Sequence, residues 1–301
     1  MSFVLLVVAW PSIATETVMG GDISLWESGV ESEVGWWDEW LKERGGNWPQ
    51  DYQARMNGST EFKYATLLSG RQHYRVLDVG SGPLSVLGYR LDNAELELVL
   101  TDPLADEYAE LFRKHKLQPP VIPRRVMAEE SLATFGEDYF DLVVSQNALD
   151  HSVNPVDAVL QAVHVLRPNG TFVLIVHPLE RGSRETPIGL HRWNFANVNG
   201  SLWVHEPASR KLGTQESLFN VARLVAPYAD MHCEGAPCGS SVLDGITNGC
   251  CALRATTGSP PCLKSRNIGK ERITCIARKR GRERGVSTGA RMVRQKRTAT
   301  G

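Results

Sequence analysis

The sequence predicts an α/β fold: a doubly wound, mostly parallel sheet with an N-terminal helical cap and a poorly structured C-terminal tail. Three observations predict it. Between Arg75 and Val176 short apolar runs alternate with stretches of helical period. One of those runs, Thr171 to Val176, is unbroken, as in a strand buried on both faces. Alternation of this kind is satisfied by right-handed crossovers that lay neighbouring strands parallel.

The elements follow in order. Trp26, Trp36, Trp37, Trp40 and Trp48 crowd the region before the first strand. Trp36, Trp37, Trp40 and Leu41 recur at spacings of three and four, which predicts a helical cap. Most of its tryptophans are expected in the core, with one or two lining a pocket. Arg75–Val79 and Leu96–Thr101 read as the first two strands. Leu104, Tyr108, Leu111, Phe112 and His115 then mark a helix. Val121–Met127 is expected as a third strand despite Pro123, and Phe140–Ser145 as a fourth. Pro155 opens a helix with an apolar stripe of Val156, Val159, Leu160, Val163 and Leu166. Arg167-Pro168-Asn169-Gly170 forms a turn before Thr171–Val176, and Arg272–Ala277 is the last strand. The chain thus divides into an arm over 1–25, a cap over 26–70, a main domain over 71–280 with a loop-rich insertion near 234–270, and a basic tail over 281–301.

Charge and cysteine usage narrow the function. The chain has 301 residues with 33 Lys and Arg against 34 Asp and Glu, so nothing pulls it as a whole toward nucleic acid. Charges are segregated, however: acidic from Glu16 to Glu39, basic beyond Pro261. No apolar stretch reaches the roughly 20 residues of a transmembrane helix. The run Phe3 to Trp10 lacks the basic residue that precedes a signal-peptide core, so a cytoplasmic location is expected. All six cysteines fall in the last third, at spacings that match no zinc site. They are expected as buried or free thiols, with no metal bound.

The first strand runs into Asp78-Val79-Gly80-Ser81-Gly82-Pro83-Leu84. Glycines at such a turn let the backbone approach a ligand, and Pro83-Leu84 suits the start of a helix whose free N–H groups would face it. An acid at Asp78 disfavours a pyrophosphate and favours a cationic ligand. Ser85 stands where the dinucleotide fingerprint has its third glycine, which argues against a nicotinamide oxidoreductase. Asp102, followed by Pro103 at the end of the second strand, is placed to accept ribose hydroxyls. The fourth strand ends in Ser145-Gln146-Asn147-Ala148-Leu149-Asp150-His151. Asn147, Asp150 and His151 are the catalytic candidates, His151 as a general base. His177 ends the fifth strand, and His191, Trp193 and Asn194 crowd a loop beyond it, the expected acceptor site.

From Arg75 to His177 the sequence resembles the class I S-adenosylmethionine-dependent methyltransferases, in their small-molecule, type 11-like branch. The resemblance rests on Val76-Leu-Asp-Val-Gly-Ser-Gly82, on Asp102, on Phe140-Asp-Leu-Val-Val-Ser145 and on Val165-Leu-Arg-Pro-Asn-Gly-Thr-Phe-Val-Leu174. It implies a Rossmann-like fold and S-adenosylmethionine as cofactor, with methyl transfer to a small molecule. Asp78, Gly80, Ser81 and Gly82 would hold the methionine end, Asp102 and Pro103 the ribose. Ala128 and Glu129, with Gln146 and Asn147, would complete the cofactor site. The family commonly has Asp where Ala128 stands, so Glu129 or Glu130 is the acid available here. A non-catalytic protein that keeps the fold is the alternative, because the closing hairpin is hard to place in the Cys- and Gly-rich C-terminal third.

Overall fold

A computed structural model describes residues 23–182, 184, 186–235 and 272–281. The arm before residue 23, Cys238, Cys250, Cys251, Cys262, residues 236–271 and the tail beyond 281 lie outside the described residues.

The chain opens with α1 (Ile23–Lys42), which buries Trp40 and Leu41. Trp36, expected on the same face, is half exposed, because a two-turn stripe leaves it on the solvent side. α2 (Pro49–Met56) starts at a proline, whose missing N–H costs nothing in a first turn. β1 (His73–Val79) and β2 (Glu95–Thr101) pair in parallel. α3 (Ala105–His115) carries acids in its first turn and bases in its last, complementing its dipole, and stops at Lys116 in a left-handed conformation. A short α4 (Ser131–Phe135) precedes β3 (Phe140–Gln146). Asn154 caps α5 (Pro155–His164) by accepting the Asp157 N–H at 3.1 Å. β4 (Leu166–Val176) follows. β5 (Asn194–Val198), β6 (Ser201–Glu206) and β7 (Ser217–Asn220) form a separate antiparallel sheet. α6 (Val221–Val225), β8 (Ala229–Glu234) and β9 (Ile273–Lys279) complete the described chain.

The main sheet has the order β2-β1-β3-β4-β9-β8. Its first four strands are parallel, and β9 lies antiparallel to both β4 and β8. One face packs Leu77, Val79, Val143, Phe172 and Leu174 against Val156, Val159 and Val163 of α5, and the same core takes in Trp193 and Phe195. The other face packs Val76, Leu142, Val144 and Val173 against Phe62 and Leu87. A third cluster joins Trp40, Leu41 and Tyr52 to Tyr108, Leu111 and Phe112 of α3. Among the described residues no helix is long and apolar enough to cross a membrane.

Four sequence expectations are corrected. No helix follows β1: residues 80–94 are irregular, so no helix dipole stands beside the glycines. Two further glycine- and proline-bearing positions, Pro83 and Gly88, punctuate that stretch, and Gly88 at φ +80° lies hard against the Glu61 carbonyl. Val121–Met127 is not a strand. It makes one bridge, Thr101 to Arg124, between Pro123 and the exposed Arg125, because prolines at 119, 120 and 123 remove ladder donors. The Arg167–Gly170 turn lies inside β4 as a bulge that shifts the register against β3, with Asn169 at φ +64°. Finally, Cys233 and Cys275 are not free thiols. They face each other across the β8–β9 ladder and form a disulfide, both fully buried.

Candidate functional site

Strand order reverses between β1 and β3, and ligands of open parallel sheets bind outside the carboxyl ends at such a point. A narrow cleft of about 80 Å³ lies there, roofed by α1. A second hollow, lined by Gly70, Gln72 and Asn93, sits at the amino ends of β1 and β2, the wrong edge for a ligand of this architecture.

The floor of the cleft is the turn after β1. Gly80 and Gly82 adopt φ +67° and +62°. A side chain at 80 would strike the Ala148 methyl at 2.3 Å, and one at 82 the Trp37 ring at 2.8 Å. The Gly80 and Ser81 N–H groups donate to the Thr101 carbonyl at 2.8 and 3.0 Å. Asp102 fixes the turn from the side: Oδ2 accepts the Gly82 N–H at 2.9 Å and Oδ1 the Leu104 N–H at 3.0 Å. Burial pushes the Asp102 carboxyl up to about 6, against those two donors. It still lines the cleft, where the Tyr108 side chain also hydrogen-bonds to it.

At the rear, Pro103, Ala128 and Glu129 line the wall. Glu129 Oε1 accepts the Asn154 N–H at 2.7 Å, which ties this wall to the start of α5, and burial raises its carboxyl. Of the two adjacent acids, Glu129 faces the cleft and Glu130 faces solvent. Asn147 follows β3 at φ +52°, an uncommon conformation for a residue with a side chain. Its Oδ1 is buried with no hydrogen-bond partner among the described residues. Such an orphaned acceptor next to an open cleft fits a donor on a ligand.

The acceptor end is formed by two loops stapled together. The Asp150 carbonyl accepts the N–H groups of Arg192 and Trp193 at 3.1 and 3.4 Å, and the Trp193 indole donates to the Ser152 carbonyl at 2.8 Å. Gly29 lets α1 press on this loop, since a side chain there would meet Leu190 at 2.6 Å. The result brings Asp150, His151 and His191 together. His191 Nδ1 lies 2.6 Å from Asp150 Oδ2 and 3.0 Å from His151 Nε2. Burial opposes charge on Asp150, but His151 and His191 outweigh it and hold the carboxyl below its ordinary value. The hydrogen bond to Asp150 raises His191 in turn. His151 lines the cleft, and its Nδ1 lies 3.9 Å from Glu33 Oε2.

Several expected site residues are elsewhere. Asp78 does not line the cleft. Its side chain shares the β1 face of Val76, where Oδ2 accepts the Ser85 hydroxyl at 2.6 Å, and burial pushes it up to about 6. Ser81 turns its hydroxyl to the Gly82 carbonyl, and Gln146 is likewise off the lining. Trp193 is fully buried in the core. Asn194 is a buried clamp on Gly182, accepting its N–H and donating to its carbonyl at 2.9 Å each. His177 is off the lining, with a buried Nδ1 that has no partner. Conversely, Trp26, Glu33, Trp37, Tyr108 and Leu190 line the cleft. The cap tryptophans gave a signal for two of these. Glu33 had only the acidic run from Glu16 to Glu39 to mark it.

The chain has a Rossmann-like fold, with its cleft at the carboxyl edge of the parallel strands. Within it, residues 77–174 match the methyltransferase domain family. Over that stretch, 98 of the 301 residues, the chain is similar to class I S-adenosylmethionine-dependent methyltransferase domains, a class whose cofactor is S-adenosylmethionine. The mouse mitochondrial arginine-hydroxylase NDUFAF5 is 35% identical over 98 residues, 32% of this chain and 27% of that protein. The chain thus spans about a quarter of that relative's length. Among solved structures, the YcgJ protein of Bacillus subtilis is 16% identical, with 72% of this chain and 96% of that one covered, at a TM-score of 0.39. The Burkholderia thailandensis 1,6-didemethyltoxoflavin-N1-methyltransferase, solved with S-adenosylhomocysteine, is 14% identical over 87% and 92%, at 0.40.

Proposed function

We propose that this cleft binds S-adenosylmethionine and transfers its methyl group to a small-molecule acceptor. One observation carries the reading. Among the described residues three carboxylates line the cleft, Glu33, Asp102 and Glu129, and no Lys or Arg does. Such a cleft repels a dinucleotide pyrophosphate and attracts a sulfonium and an α-ammonium group. The two glycines take the methionine end, Asp102 the ribose hydroxyls, and the Ala128–Glu129 wall the adenine.

The acceptor enters beside His151, under Trp26 and Leu190. Its nucleophile attacks the methyl carbon as the carbon–sulfur bond breaks. S-adenosylhomocysteine leaves and the acceptor's proton passes to the His151–His191–Asp150 group. Positioning and exclusion of water supply much of the rate in such a displacement. The α1 roof narrows the entrance, which favours a small, partly apolar acceptor.

A second reading has its own support. The mouse relative is named an arginine-hydroxylase, and an acid-lined cleft also admits a guanidinium group. Two experiments separate the readings. Calorimetry with S-adenosylmethionine, S-adenosylhomocysteine and NAD tests the cofactor: tight binding of NAD alone overturns both. Mass spectrometry of a metabolite panel and of arginine-containing peptides then reads the acceptor. A gain of one methyl on a metabolite supports the first reading. Gain of one oxygen on a peptide arginine replaces it with the second.

A further inference from the structure

We propose that Asp150, His151 and His191 form a binding site for a first-row divalent transition-metal ion at the acceptor end of the cleft. Three ligand-capable atoms converge there. Asp150 Oδ2, His191 Nδ1 and His151 Nε2 form a triangle with edges of 2.6, 3.0 and 3.5 Å. Donors held at about 2.0–2.2 Å from one ion lie roughly 3 Å apart on an octahedral face and a little farther apart on a tetrahedral one. The triangle has that size.

Protons satisfy this arrangement poorly. An imidazole nitrogen carries one proton or one lone pair in the ring plane. A single proton on His191 Nδ1 points squarely at Asp150 or at His151, not at both. A cation above the triangle answers all three atoms at once. The two rings are also nearly perpendicular, at 78°, so their nitrogens meet at a point and the rings do not stack.

The surroundings suit a metal. Asp150 is buried, and the Arg192 and Trp193 N–H groups bond its backbone carbonyl, which fixes the backbone that carries the carboxylate. The His151 side chain is about one-fifth exposed and that of His191 about two-fifths, which leaves a path for entry. Glu33 stands near the second nitrogen of His151, where a carboxylate orients a ligating histidine. Two imidazoles and one carboxylate select Zn²⁺, Fe²⁺ or Co²⁺ over Mg²⁺ and Ca²⁺, which take oxygen donors. His151 lines the cleft, so an ion held by this triangle would sit at the cleft's edge. A hydroxyl or carbonyl oxygen bound there is polarised directly; with the ion bound His151 is a ligand and the acceptor's proton passes to solvent, and only the metal-free group takes that proton itself.

The site stands whether or not the chain transfers methyl groups, and its test does not use activity. The full chain, stripped with a chelator, is titrated with CoCl₂ under visible spectroscopy and with ZnCl₂ in competition. One Co²⁺ per chain is expected, with d–d bands, no thiolate charge-transfer band, and displacement by Zn²⁺. His191→Ala and Asp150→Asn each weaken Co²⁺ binding at least ~10-fold. Circular dichroism checks that these variants keep the fold, and calorimetry with S-adenosylhomocysteine that they keep the cofactor site. His151→Ala serves as a third variant should either fail to fold. Absence of Co²⁺ binding overturns the proposal. So does binding that survives in folded His191→Ala, or that carries a thiolate band and so belongs to the cysteines.

Discussion

The indole of Trp37 occupies the space that a side chain at position 82 would need. A Cβ on Gly82 would lie 2.8 Å from the Trp37 Cζ2 atom. The cap helix and the glycine turn are therefore fitted to each other, and each sets how close the other can come to a ligand.

Gly82→Ala faces two penalties: a left-handed backbone at φ +62°, costing about 1–2 kcal/mol for a residue with a Cβ, and the collision with Trp37. Trp37→Ala removes only the collision. The double variant is expected to lose less stability than the two single variants together, by at least ~1 kcal/mol in urea denaturation. Strict additivity would show that the indole can move aside freely.

How much of this was legible follows from what each residue depends on. β1, β2, β3 and α5 were readable because local apolar runs decide them. Asp102 was readable too, since an acid at the end of a second strand is fixed by strand geometry. The orientation of Asp78 was not, because only the count from Val76 on the other sheet face, together with Ser85 seven residues on, turns its carboxyl away. Trp193 looked like a pocket residue among polar neighbours, yet a three-stranded sheet the sequence barely signalled closes over it. Glu33 and Leu190 reach the cleft through tertiary contacts between α1 and the 189–191 loop, which no local pattern encodes. The β8–β9 pair was obscured because its strands are separated by 38 residues of unrelated composition.

Asp78 carries a prediction about stability rather than binding. Its folded value of about 6 lies above the ordinary 3.8, so the folded chain binds its proton more tightly than the unfolded chain does. The associated stability is fully present below about pH 4 and is lost as pH rises through about 6. At roughly 1.4 kcal/mol per pH unit of displacement, the loss is at most about 3 kcal/mol. Asp78→Asn keeps an acceptor for Ser85 and cannot ionise. It should flatten the decline in urea stability between pH 4 and 7, the remaining slope including that of Asp102, while affinity for S-adenosylhomocysteine changes less than about threefold. An unchanged pH slope would mean that water reaches this carboxyl.

The Cys233–Cys275 bond closes the sheet edge formed by β8 and β9 across a sequence separation of 42. Cross-linking a loop of that length removes unfolded-state entropy equivalent to roughly 3–4 kcal/mol. Cys275→Ala, or reduction of the wild-type chain, should therefore lower the urea midpoint markedly, and reduction should add nothing further to Cys275→Ala. Equal midpoints for oxidised wild type, reduced wild type and Cys275→Ala would show that the two thiols are unbonded in solution.

Glu33 lets the charge argument for the cofactor be tested without disturbing the glycine turn. Its Oε1 accepts the Trp37 indole N–H at 2.9 Å, and a glutamine carbonyl can accept the same bond, so Glu33→Gln preserves the roof while removing one negative charge. S-adenosylmethionine carries a sulfonium that S-adenosylhomocysteine lacks. A cleft that recognises the cation through its carboxylates should lose affinity for the first ligand more than for the second. The expected change in the ratio of the two Kd values is about three- to tenfold, corresponding to roughly 0.7–1.4 kcal/mol. The difference should shrink as salt is raised, because a partly exposed charge is screened. Equal losses for both ligands would instead place Glu33 on the α-ammonium that both carry, or in packing, and leave the sulfonium to Asp102 and Glu129.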